Sequence, residues 1–579
     1  MNQGNVFKNS NIIFPVSNGM TAEQSAYRIN NYTDKPIKKI KSESVRISSF
    51  DSNWAYSHHG FIAEFKGNLY AMWSSGRKHE DDLGQRVMYS YSSDFKNWSK
   101  PVAFAECMDG EKSECFLVAV GFFVVGDTLI GYYRAAEYAY EELENNFKMR
   151  PSGSCTLAHP PQVYCRTSKD GINWSQATPI DFYDAGVAQA RKNRLGRWAW
   201  TGSIGIMYAD DTNGITGWKG SEIPQEYIAD ALSRGAIQLC EANYYQTEDY
   251  VMHLLLRSNS GYLWHSESYD NGESWSEVYP TRFSDDNTMC YFGTLPDGRY
   301  YYVGSPLYSG SNSRSPLVLC ISKNGYDFNE QYIICDEDYV NEQNGFAKGG
   351  IYGYPECVVC NGYINIVYSL GKEIMQVTRV KLTDIDDASA KISVDSRKPY
   401  YELCFADEKS CSFITAMSGS SVKFDAAEKA LRIETDAVKT PAMIMCENLV
   451  EQKIKVDEYP VIAFKVKREN YDKVFWGDCY FSTDHSVSDP DKWVKFKSPR
   501  YSYNPYFRDE YVTVAINLSK MINYYDYSKY PDNLKRFDGH WDGFKISFAK
   551  EGYNEYETAF YIKAVGFFKS FWDAWNYYS

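Results

Sequence analysis

Several features of common protein classes are absent from this sequence. The longest apolar run, Phe116–Gly126, is interrupted by Asp127 and is well short of the about 18 residues that a membrane-spanning helix needs. The net charge is −14 and no basic stripe is present, which excludes nucleic acid as a partner. The 14 cysteines among 579 residues are too sparse for a disulfide scaffold, so we expect reduced, buried thiols.

The first eight residues also lack a basic segment followed by an apolar stretch, the pattern of a secretory signal. This absence predicts a cytoplasmic protein. A secreted protein whose leader has been removed is the alternative.

Aromatic residues, in contrast, are abundant, with 50 Tyr, 31 Phe and 14 Trp. Such residues favour β-strands, and their flat rings also suit the faces of sugars. The composition therefore predicts a strand-rich protein and is compatible with a glycan as its ligand.

A short pattern recurs along the first 395 residues, and recurrence of this kind indicates a repeat architecture. Its template is Ser/Thr-x-Asp-x-Gly-x-x-Trp, in which Asp or Asn accepts hydrogen bonds from turn N–H groups and Gly adopts a positive φ. The copies, here called boxes, cover residues 92–98, 167–174, 211–218, 268–275 and, more weakly, 322–328. Four or five boxes in order predict a series of hairpins.

A second series of turns interleaves with the boxes, and each turn precedes an aromatic-rich strand. These turns lie at Gly67, Gly126, Gly196, Asp249, Gly298 and Gly362. The spacing of about 50 to 70 residues leaves room for four strands per unit, and radially repeated four-stranded units form a β-propeller. Six units can be counted. Residues 5–50 supply either a strand that closes the ring or part of a seventh unit.

The composition changes after residues 378–382. Residues 383–400 are polar and resemble a linker, and the strands beyond them have no boxes. We therefore predict an all-β protein with a six- or seven-bladed propeller at residues 1–395 and a jelly-roll-like β-sandwich at residues 401–579. The second domain is interpreted either as a carbohydrate-binding module or as a structural appendage.

The first strand of each propeller unit lines a central channel, so polar residues at its entry should converge on one face. The candidate channel residues lie upstream of the second-series turns, on the first strand of a unit, or after the turn, on its second strand. They are His58, His59, Glu241, Glu356, Trp54, Arg77, Arg134, Arg257, Asp286, Asn287 and Tyr354. We predict catalytic roles for the two histidines and two glutamates, since His and Glu transfer protons readily. The remaining residues are candidate substrate contacts, with Arg suited to a carboxylate. The acidic loop His79–Asp82 could hold a metal ion, but it is interpreted as a solvated loop, and no metal ligands are predicted.

The boxes resemble those of sialidases and other BNR-repeat (Asp-box) propellers. Residues 56–61, 80–86 and 354–356 look more like propeller α-L-rhamnosidases and rhamnose–glucuronate lyases, and the resemblance covers roughly residues 50–382. It implies a channel-facing catalytic His, here His59 or His58. It also implies an arginine near a uronate carboxylate, with Arg77, Arg134 or Arg166 as counterparts, and calcium in the channel as a candidate cofactor. The Phe/Tyr-Arg-Ile-Pro motif of sialidases is missing, since Arg28 is a poor substitute.

Three functions remain open at this point. The first is an enzyme that removes a terminal sugar from an oligosaccharide containing a uronic acid, by hydrolysis or by elimination. The second is a sialidase-like exo-glycosidase, for whose site Arg257, Glu241 and several tyrosines are candidates. The third is a propeller that binds a glycan without cleaving it. The oligomeric state cannot be read from the sequence.

Overall fold

The computed structural model describes residues 21–33, 37–139, 156–181, 188–308, 313–343, 345, 347–387, 398–417, 420–435, 443–447, 449–468, 475–476, 479–483, 494–496, 500–501, 511–517, 539–547, 558–569 and 571–578. The helices in these ranges are short: α1 (Ala22–Arg28), α2 (Gln225–Ser233), α3 (Leu382–Asp387), α4 (Glu408–Cys411), α5 (Phe571–Tyr578) and a 3-10 turn at Val450–Gln452. Strands make up most of the regular structure, so the predicted all-β class is confirmed. In the described part of the chain, no helix has the length and apolar character needed to cross a membrane.

Six sheets occupy the first two thirds of the chain, here numbered sheets 1 to 6. Sheet 1 contains β3 (Tyr56–Phe65), β4 (Asn68–Gly76), β5 (Arg86–Ser92) and β6 (Val102–Ala105). Sheet 2 contains β7 (Phe116–Val125), β8 (Thr128–Ala136), β9 (Gln162–Ser168) and β10 (Thr178–Ile180). Sheet 3 contains β11 (Arg191–Lys192), β12 (Trp198–Thr201), β13 (Gly205–Ala209) and β14 (Lys219–Glu222). In each sheet, neighbours in sequence pair antiparallel.

The next three sheets follow the same plan. Sheet 4 contains β15 (Cys240–Gln246), β16 (Met252–Arg257), β17 (Tyr262–Ser268) and β18 (Tyr279–Ser284). Sheet 5 contains β19 (Tyr291–Thr294), β20 (Tyr300–Gly304), β21 (Leu317–Ser322) and β22 (Glu330–Cys335), with β1 (Lys38–Lys39) added in parallel to β22. Sheet 6 contains β23 (Tyr352–Cys360), β24 (Tyr363–Leu370) and β25 (Ile374–Lys381), and β2 (Ser42–Arg46) pairs with β25 as its fourth strand.

The sheets follow one another around a ring. The first strands contact each other between sheets 1 and 2, 4 and 5, and 5 and 6, and β23 of sheet 6 contacts β3 of sheet 1. Between sheets 2 and 3, the Phe122 N–H donates to Gln189 Oε1 at 3.3 Å. The strand β2 closes sheet 6, which is one of the two roles predicted for residues 5–50.

Local chemistry explains the turns of both series. In every box, one side-chain oxygen accepts two backbone N–H groups at 2.7–3.0 Å; these residues are Asp94, Asp170, Asn213, Asp270 and Asn324. Each box joins the third and fourth strands of a sheet. Sheet 6 needs no box, because its fourth strand comes from the N-terminal side. In the second series, five turns contain a Gly with φ of 58–93°. The sixth turn lacks Gly, and there Tyr250 adopts the positive φ, at 66°.

Two antiparallel sheets follow the ring. The first contains β28 (Ser420–Asp425), β29 (Ala430–Thr435), β38 (Thr558–Phe568), β31 (Val461–Arg468) and β36 (Val512–Asn517), with β26 (Tyr401–Cys404) paired to β38. The second contains β27 (Thr415–Ala416), β30 (Met443–Cys446), β37 (Trp541–Ser547), β33 (Cys479–Thr483) and β34 (Val494–Phe496). A separate pair is formed by β32 (Phe475–Trp476) and β35 (Arg500–Tyr501).

These two sheets share one apolar core, in which the rings of Phe464 and Phe544 meet edge to face at 5.5 Å. A different apolar cluster joins Val461 and Phe568 to sheet 5 residues such as Val318, so the C-terminal sheets also pack against the ring. Helix α3 follows β25 directly, so the first residues of the predicted linker are helical. The predicted domain boundary near residue 395 lies outside the described residues.

Candidate functional site

The first strands of four sheets have a shift in pairing register; in β7 it lies between Ala119 and Gly121, and in the other three strands it holds a non-glycine residue with positive φ. The pairing register shifts between His58 and Phe61 on β3, between Cys240 and Asn243 on β15, and between Gly353 and Glu356 on β23. Each bulge holds a non-glycine residue with positive φ: His59 at 53°, Glu241 at 49° and Tyr354 at 52°. Positive φ costs non-glycine residues energy and concentrates at functional sites, and bulges re-aim side chains next to such sites. The three residues are therefore candidates for a common site.

Two of these bulge residues contact each other directly. The Tyr354 hydroxyl donates a hydrogen bond to Glu241 Oε1. Arg257, at the end of β16, donates from Nη1 to Glu241 Oε2 at 2.5 Å and to the Tyr354 oxygen at 3.0 Å. Its Nε donates to Asn287 Oδ1 at 3.3 Å. Sheets 4 and 6 and the segment before β19 thus supply one hydrogen-bonded cluster.

The charges in this cluster are set by burial and by the arginine. Burial raises the pKa of Glu241, but the Arg257 guanidinium and the hydrogen bonds outweigh it, so the pKa lies below its ordinary value. Burial, followed by the Glu241 charge, raises the pKa of Tyr354 well above its ordinary value. At neutral pH the pair is therefore a phenol bonded to a carboxylate, which is the arrangement of a hydroxyl nucleophile with its base.

Arg314 lies beside this cluster. Its backbone N–H donates to Asp286 Oδ2 at 2.7 Å, and its Nη2 donates to the Asn287 carbonyl at 3.3 Å. The guanidinium carbon is 5.7 Å from the centre of the Tyr354 ring. Its Nε and Nη1 atoms are buried and make no hydrogen bond with the described residues. Leaving buried donors of a charged group unsatisfied is costly, so these atoms point to an anionic ligand group.

His59 also lies beside Tyr354, with the ring centres 5.7 Å apart. Its Nδ1 is 3.2 Å from Ser74 Oγ, and its Nε2 is 3.5 Å from Glu80 Oε1. Ser74 Oγ already accepts the Ala119 N–H, so its own hydrogen can be donated to Nδ1. In that tautomer, Nε2 carries the proton and faces Glu80.

Glu80 is held as an anion. Lys372, in the turn between β24 and β25, places Nζ 3.3 Å from both Glu80 oxygens. Burial would raise the pKa of Glu80, but Lys372 and His59 lower it far below its ordinary value. Burial lowers the pKa of Lys372 to about 8 against the opposing effect of Glu80. In the acidic loop at residues 79–82, which was interpreted as solvated, the Glu80 side chain is thus mostly buried between His59 and Lys372.

His58 is packed beneath this group. It is fully buried, its Nδ1 is 2.7 Å from Ser369 Oγ, and its ring centre is 4.3 Å from that of Tyr354. Burial, followed by the Lys372 charge, lowers the pKa of His58 well below its ordinary value. A neutral, buried imidazole in this position can orient Tyr354 and His59, and it has no exposed face with which to meet a substrate.

Glu356 lies two residues beyond Tyr354 on β23 and is also fully buried. Neither carboxyl oxygen has a side-chain hydrogen-bond partner among the described residues, and the Gln189 backbone N–H lies beside the carboxyl group. Burial raises its pKa to about 8, with the nearby Arg191 acting against this shift. Glu356 is therefore protonated at neutral pH, and it is not brought together with Glu241.

The other predicted contacts divide into two groups. Asp286 and Asn287 belong to the cluster through Arg314 and Arg257, as described above. Trp54 instead lies under Arg86, whose guanidinium carbon is 3.6 Å from the ring centre. Arg77 pairs with Glu114 through two hydrogen bonds of 2.7 and 2.9 Å. Arg166 donates to the carbonyls of Phe104 and Ser175.

Arg134, on β8 of sheet 2, has no hydrogen bond to the cluster. Of the four predicted arginines, only Arg257 therefore joins the cluster, and Arg314 was missed. Arg77 and Arg166 have partners that account for their charge or their donors without a ligand. Roles for them in binding a substrate stay predictions, as does a calcium ion in the channel.

Among the described residues, two groups of side chains have donor atoms close enough to share a metal ion. One is His58, His59 and Glu80, whose donor atoms lie within 4.8 Å of one another. There the Lys372 ammonium already supplies positive charge to Glu80, which disfavours a cation. The other group, on sheet 4, is described below.

Comparison with known proteins gives one family match. A family profile described as a BNR repeat-like domain matches residues 67–366, more than half of the chain. No curated protein matches the chain. The narrower resemblance to rhamnosidases and rhamnose–glucuronate lyases is not confirmed by these comparisons.

Several solved structures are similar to the chain at low identity. A sialidase is 14% identical, with a TM-score of 0.43, over 95% of this chain and 53% of its own length, so the chain spans about half of that protein. The Trypanosoma rangeli sialidase in complex with sialic acid is 12% identical, with a TM-score of 0.40, over 91% of this chain and 96% of its own. The intramolecular trans-sialidase from Ruminococcus gnavus in complex with oseltamivir carboxylate is 13% identical, with a TM-score of 0.40, over 59% of this chain and 98% of its own. Likeness at this level does not carry an activity to this chain.

Proposed function

This chain belongs to the BNR repeat-like domain family, and we propose that it is an exo-acting glycosidase that removes a terminal acidic sugar from an oligosaccharide. In this proposal the ring of sheets 1 to 6 is a six-bladed propeller, and the two C-terminal sheets form an ancillary β-sandwich. The observation that carries the proposal is the contact between the Tyr354 hydroxyl, the Glu241 carboxylate and the Arg257 guanidinium.

Tyr354 is the proposed nucleophile. Its oxygen attacks the anomeric carbon while its proton passes to Glu241, and the bond to the leaving oxygen breaks. Most glycosidases use a pair of carboxylates, whereas sialidases use a tyrosine. A neutral phenol approaches a sugar that carries a carboxylate without the repulsion that a carboxylate nucleophile would meet. The choice of nucleophile therefore fits an acidic substrate.

His59 is the proposed acid and base. Glu80 cannot donate a proton near neutral pH, because Lys372 and His59 hold its pKa far below the ordinary value. His59 Nε2 faces Glu80 at 3.5 Å, so the carboxylate can steady the imidazolium. His59 gives its proton to the leaving oxygen and then takes one from water. That water attacks the anomeric carbon, and Tyr354 leaves with the proton returned by Glu241.

The acidic group of the sugar is assigned to the arginines. Arg314 has two buried nitrogen atoms without partners among the described residues, and Arg257 and Arg314 both donate to Asn287. Guanidinium groups bind carboxylates through paired, charge-assisted hydrogen bonds. A uronic acid and a sialic acid both offer such a carboxylate, and the substrate panel decides between them.

The test is incubation of the purified protein with uronate-capped and sialylated oligosaccharides, with products measured by mass spectrometry. Release of the terminal acidic sugar with addition of water supports the proposal, provided that Tyr354→Phe abolishes it. A product lighter by the mass of one water would identify elimination and overturn hydrolysis. Binding to a glycan without any product would identify a non-catalytic propeller.

A further inference from the structure

A second group of histidine and glutamate side chains lies in sheet 4, apart from the proposed glycosidase site. His253 is on β16, and His265 and Glu267 are on β17. His253 is directly opposite Glu267 in the strand register, and His265 is opposite Leu255. Because alternate residues of a strand share a face, the three side chains lie on the same face. Both histidines are fully buried, and Glu267 is 1% exposed.

The two imidazoles form a chain with their neighbours. Thr247 Oγ1 donates to Asp249 Oδ1 at 2.5 Å and lies 3.1 Å from His253 Nε2, so it can accept that N–H. His253 Nδ1 then presents its lone pair, 3.0 Å from His265 Nε2. Among the described residues, this pairing leaves His265 Nδ1 without a hydrogen bond. The Glu267 carboxyl group has the hydroxyls of Tyr269 and Ser25 beside it.

The surroundings of the Glu267 carboxyl group also differ from those of Glu80. Among the described residues, no lysine, arginine or histidine lies within ion-pair distance of Glu267. Glu80 in the first group has the Lys372 ammonium for this purpose, and Glu267 has no counterpart. A buried carboxyl group beside two buried imidazoles is a donor set that a divalent cation would complete.

From this geometry we infer that His253, His265 and Glu267 bind one divalent transition-metal ion of the zinc type, as a site that stabilises the fold. Their candidate donor atoms lie within 4.8 Å of one another. Two imidazole nitrogens and one carboxylate oxygen form a donor set that zinc accepts, with a fourth ligand completing the tetrahedron.

Outer partners of the kind found around metal ligands are also present. Thr247 contacts His253 at 3.1 Å, and the Tyr269 hydroxyl donates to Glu267 Oε1 at 2.6 Å. Such partners fix the tautomer and the orientation of metal ligands. The position also explains a role in stability, because His253 stacks on Tyr245 at 4.9 Å and meets Tyr326 of the fifth box edge to face at 5.2 Å. A bound ion would therefore strengthen the junction between sheets 4 and 5.

The full chain is expressed with added zinc, and its metal content is measured by plasma mass spectrometry. The metal is then exchanged for Co²⁺, and the visible absorption spectrum is recorded. We expect one ion per chain, a tetrahedral Co²⁺ spectrum, and a lower unfolding temperature after chelation. Glu267→Gln keeps the acceptor for Tyr269 but removes the charge, and it should weaken metal affinity by at least about 100-fold. Thr247→Val, which removes only an outer partner, should weaken it by about 10- to 100-fold.

Glu80→Gln in the first group is the matched control and should leave the metal content unchanged. Folded wild-type protein that takes up neither Zn²⁺ nor Co²⁺ would overturn the inference, as would metal that is lost with Glu80→Gln and kept with Glu267→Gln. If Glu267→Gln does not fold, the wild-type measurements and Thr247→Val still decide. Glycosidase activity does not enter these readouts, so either proposal can fail without the other.

Discussion

Replacing Glu241 by glutamine tests whether the carboxylate beside Tyr354 is a base. The amide is nearly isosteric and can still accept the phenol hydrogen bond through its oxygen, but it cannot take the proton during attack. Loss of a general base costs about 10²- to 10⁴-fold in rate, which corresponds to about 2.7 to 5.4 kcal/mol of transition-state stabilisation. We expect kcat for the acidic substrate to fall within this range, with a smaller change in KM.

The same change also removes the charge partner of Arg257. Breaking a buried ion pair costs about 3–5 kcal/mol, and here the cost should be lower because the side chains of Arg257 and Glu241 are 13% and 18% exposed. Glu273→Gln is the matched control, since it breaks the 2.9 Å contact to Arg197 outside the cluster. Steady-state kinetics and thermal unfolding should be measured on both. A folded Glu241→Gln enzyme with kcat within a few-fold of wild type would refute the role as base.

Three further predictions concern neighbouring groups. Burial lowers the pKa of Lys372 to about 8, so activity should fall as the pH rises through 8 and Glu80 loses its cation. In Lys372→Arg the alkaline limb of the pH–rate profile should move to higher pH. An alkaline limb that does not move would contradict this assignment. Arg314→Met should raise KM for an acidic substrate by about 10- to 150-fold, which corresponds to the about 1.5–3 kcal/mol of hydrogen bonds to a charged group. KM for a neutral sugar should not change. Equal increases in KM for both substrates in parallel assays would count against carboxylate binding. The pKa of Glu356 is raised by burial to about 8, above its unfolded value of about 4.3, so its stabilising proton is lost as the pH rises toward 8. From mildly acidic pH to pH 9, the unfolding temperature of Glu356→Gln should therefore fall less than that of the wild type. Equal decreases in the two proteins would show that this carboxyl group does not titrate as argued.

The repeats could be predicted from the sequence because their chemistry is local. Asp94 accepts N–H groups two and three residues later, and such short-range bonds leave a recognisable pattern. The closing of sheet 6 could not be predicted in the same way. It pairs Ser42 with Val380, which are far apart in the sequence. The residue pattern of β2 does not indicate which strand it pairs with.

The site was only partly predictable for a related reason. Glu241 and Arg257 are brought together by adjacent strands of one hairpin, so their proximity follows from the turn at Asp249. Arg314, Lys372 and Glu80 come from connections between strands, where spacing varies and no periodic signal marks a side chain. The charged residues at the ends of β24 and in the loop after β4 could have been weighed more heavily, since loops carry much of the chemistry of rigid scaffolds.

The three bulges explain how one repeated strand produces a site with different chemistries. His59, Glu241 and Tyr354 occupy equivalent places in sheets 1, 4 and 6, each at a φ near +50°. A non-glycine residue in this conformation costs about 1–3 kcal/mol, so each bulge must be stabilised by its surroundings. For Glu241 and Tyr354 the stabilising contacts are the bonds they make to each other and to Arg257. The box turns and the shared strand order fix the ring, whereas the residue placed at each bulge determines the chemistry. Substrate specificity in this chain should therefore change with substitutions at the bulges and in their supporting loops, and not with substitutions in the boxes.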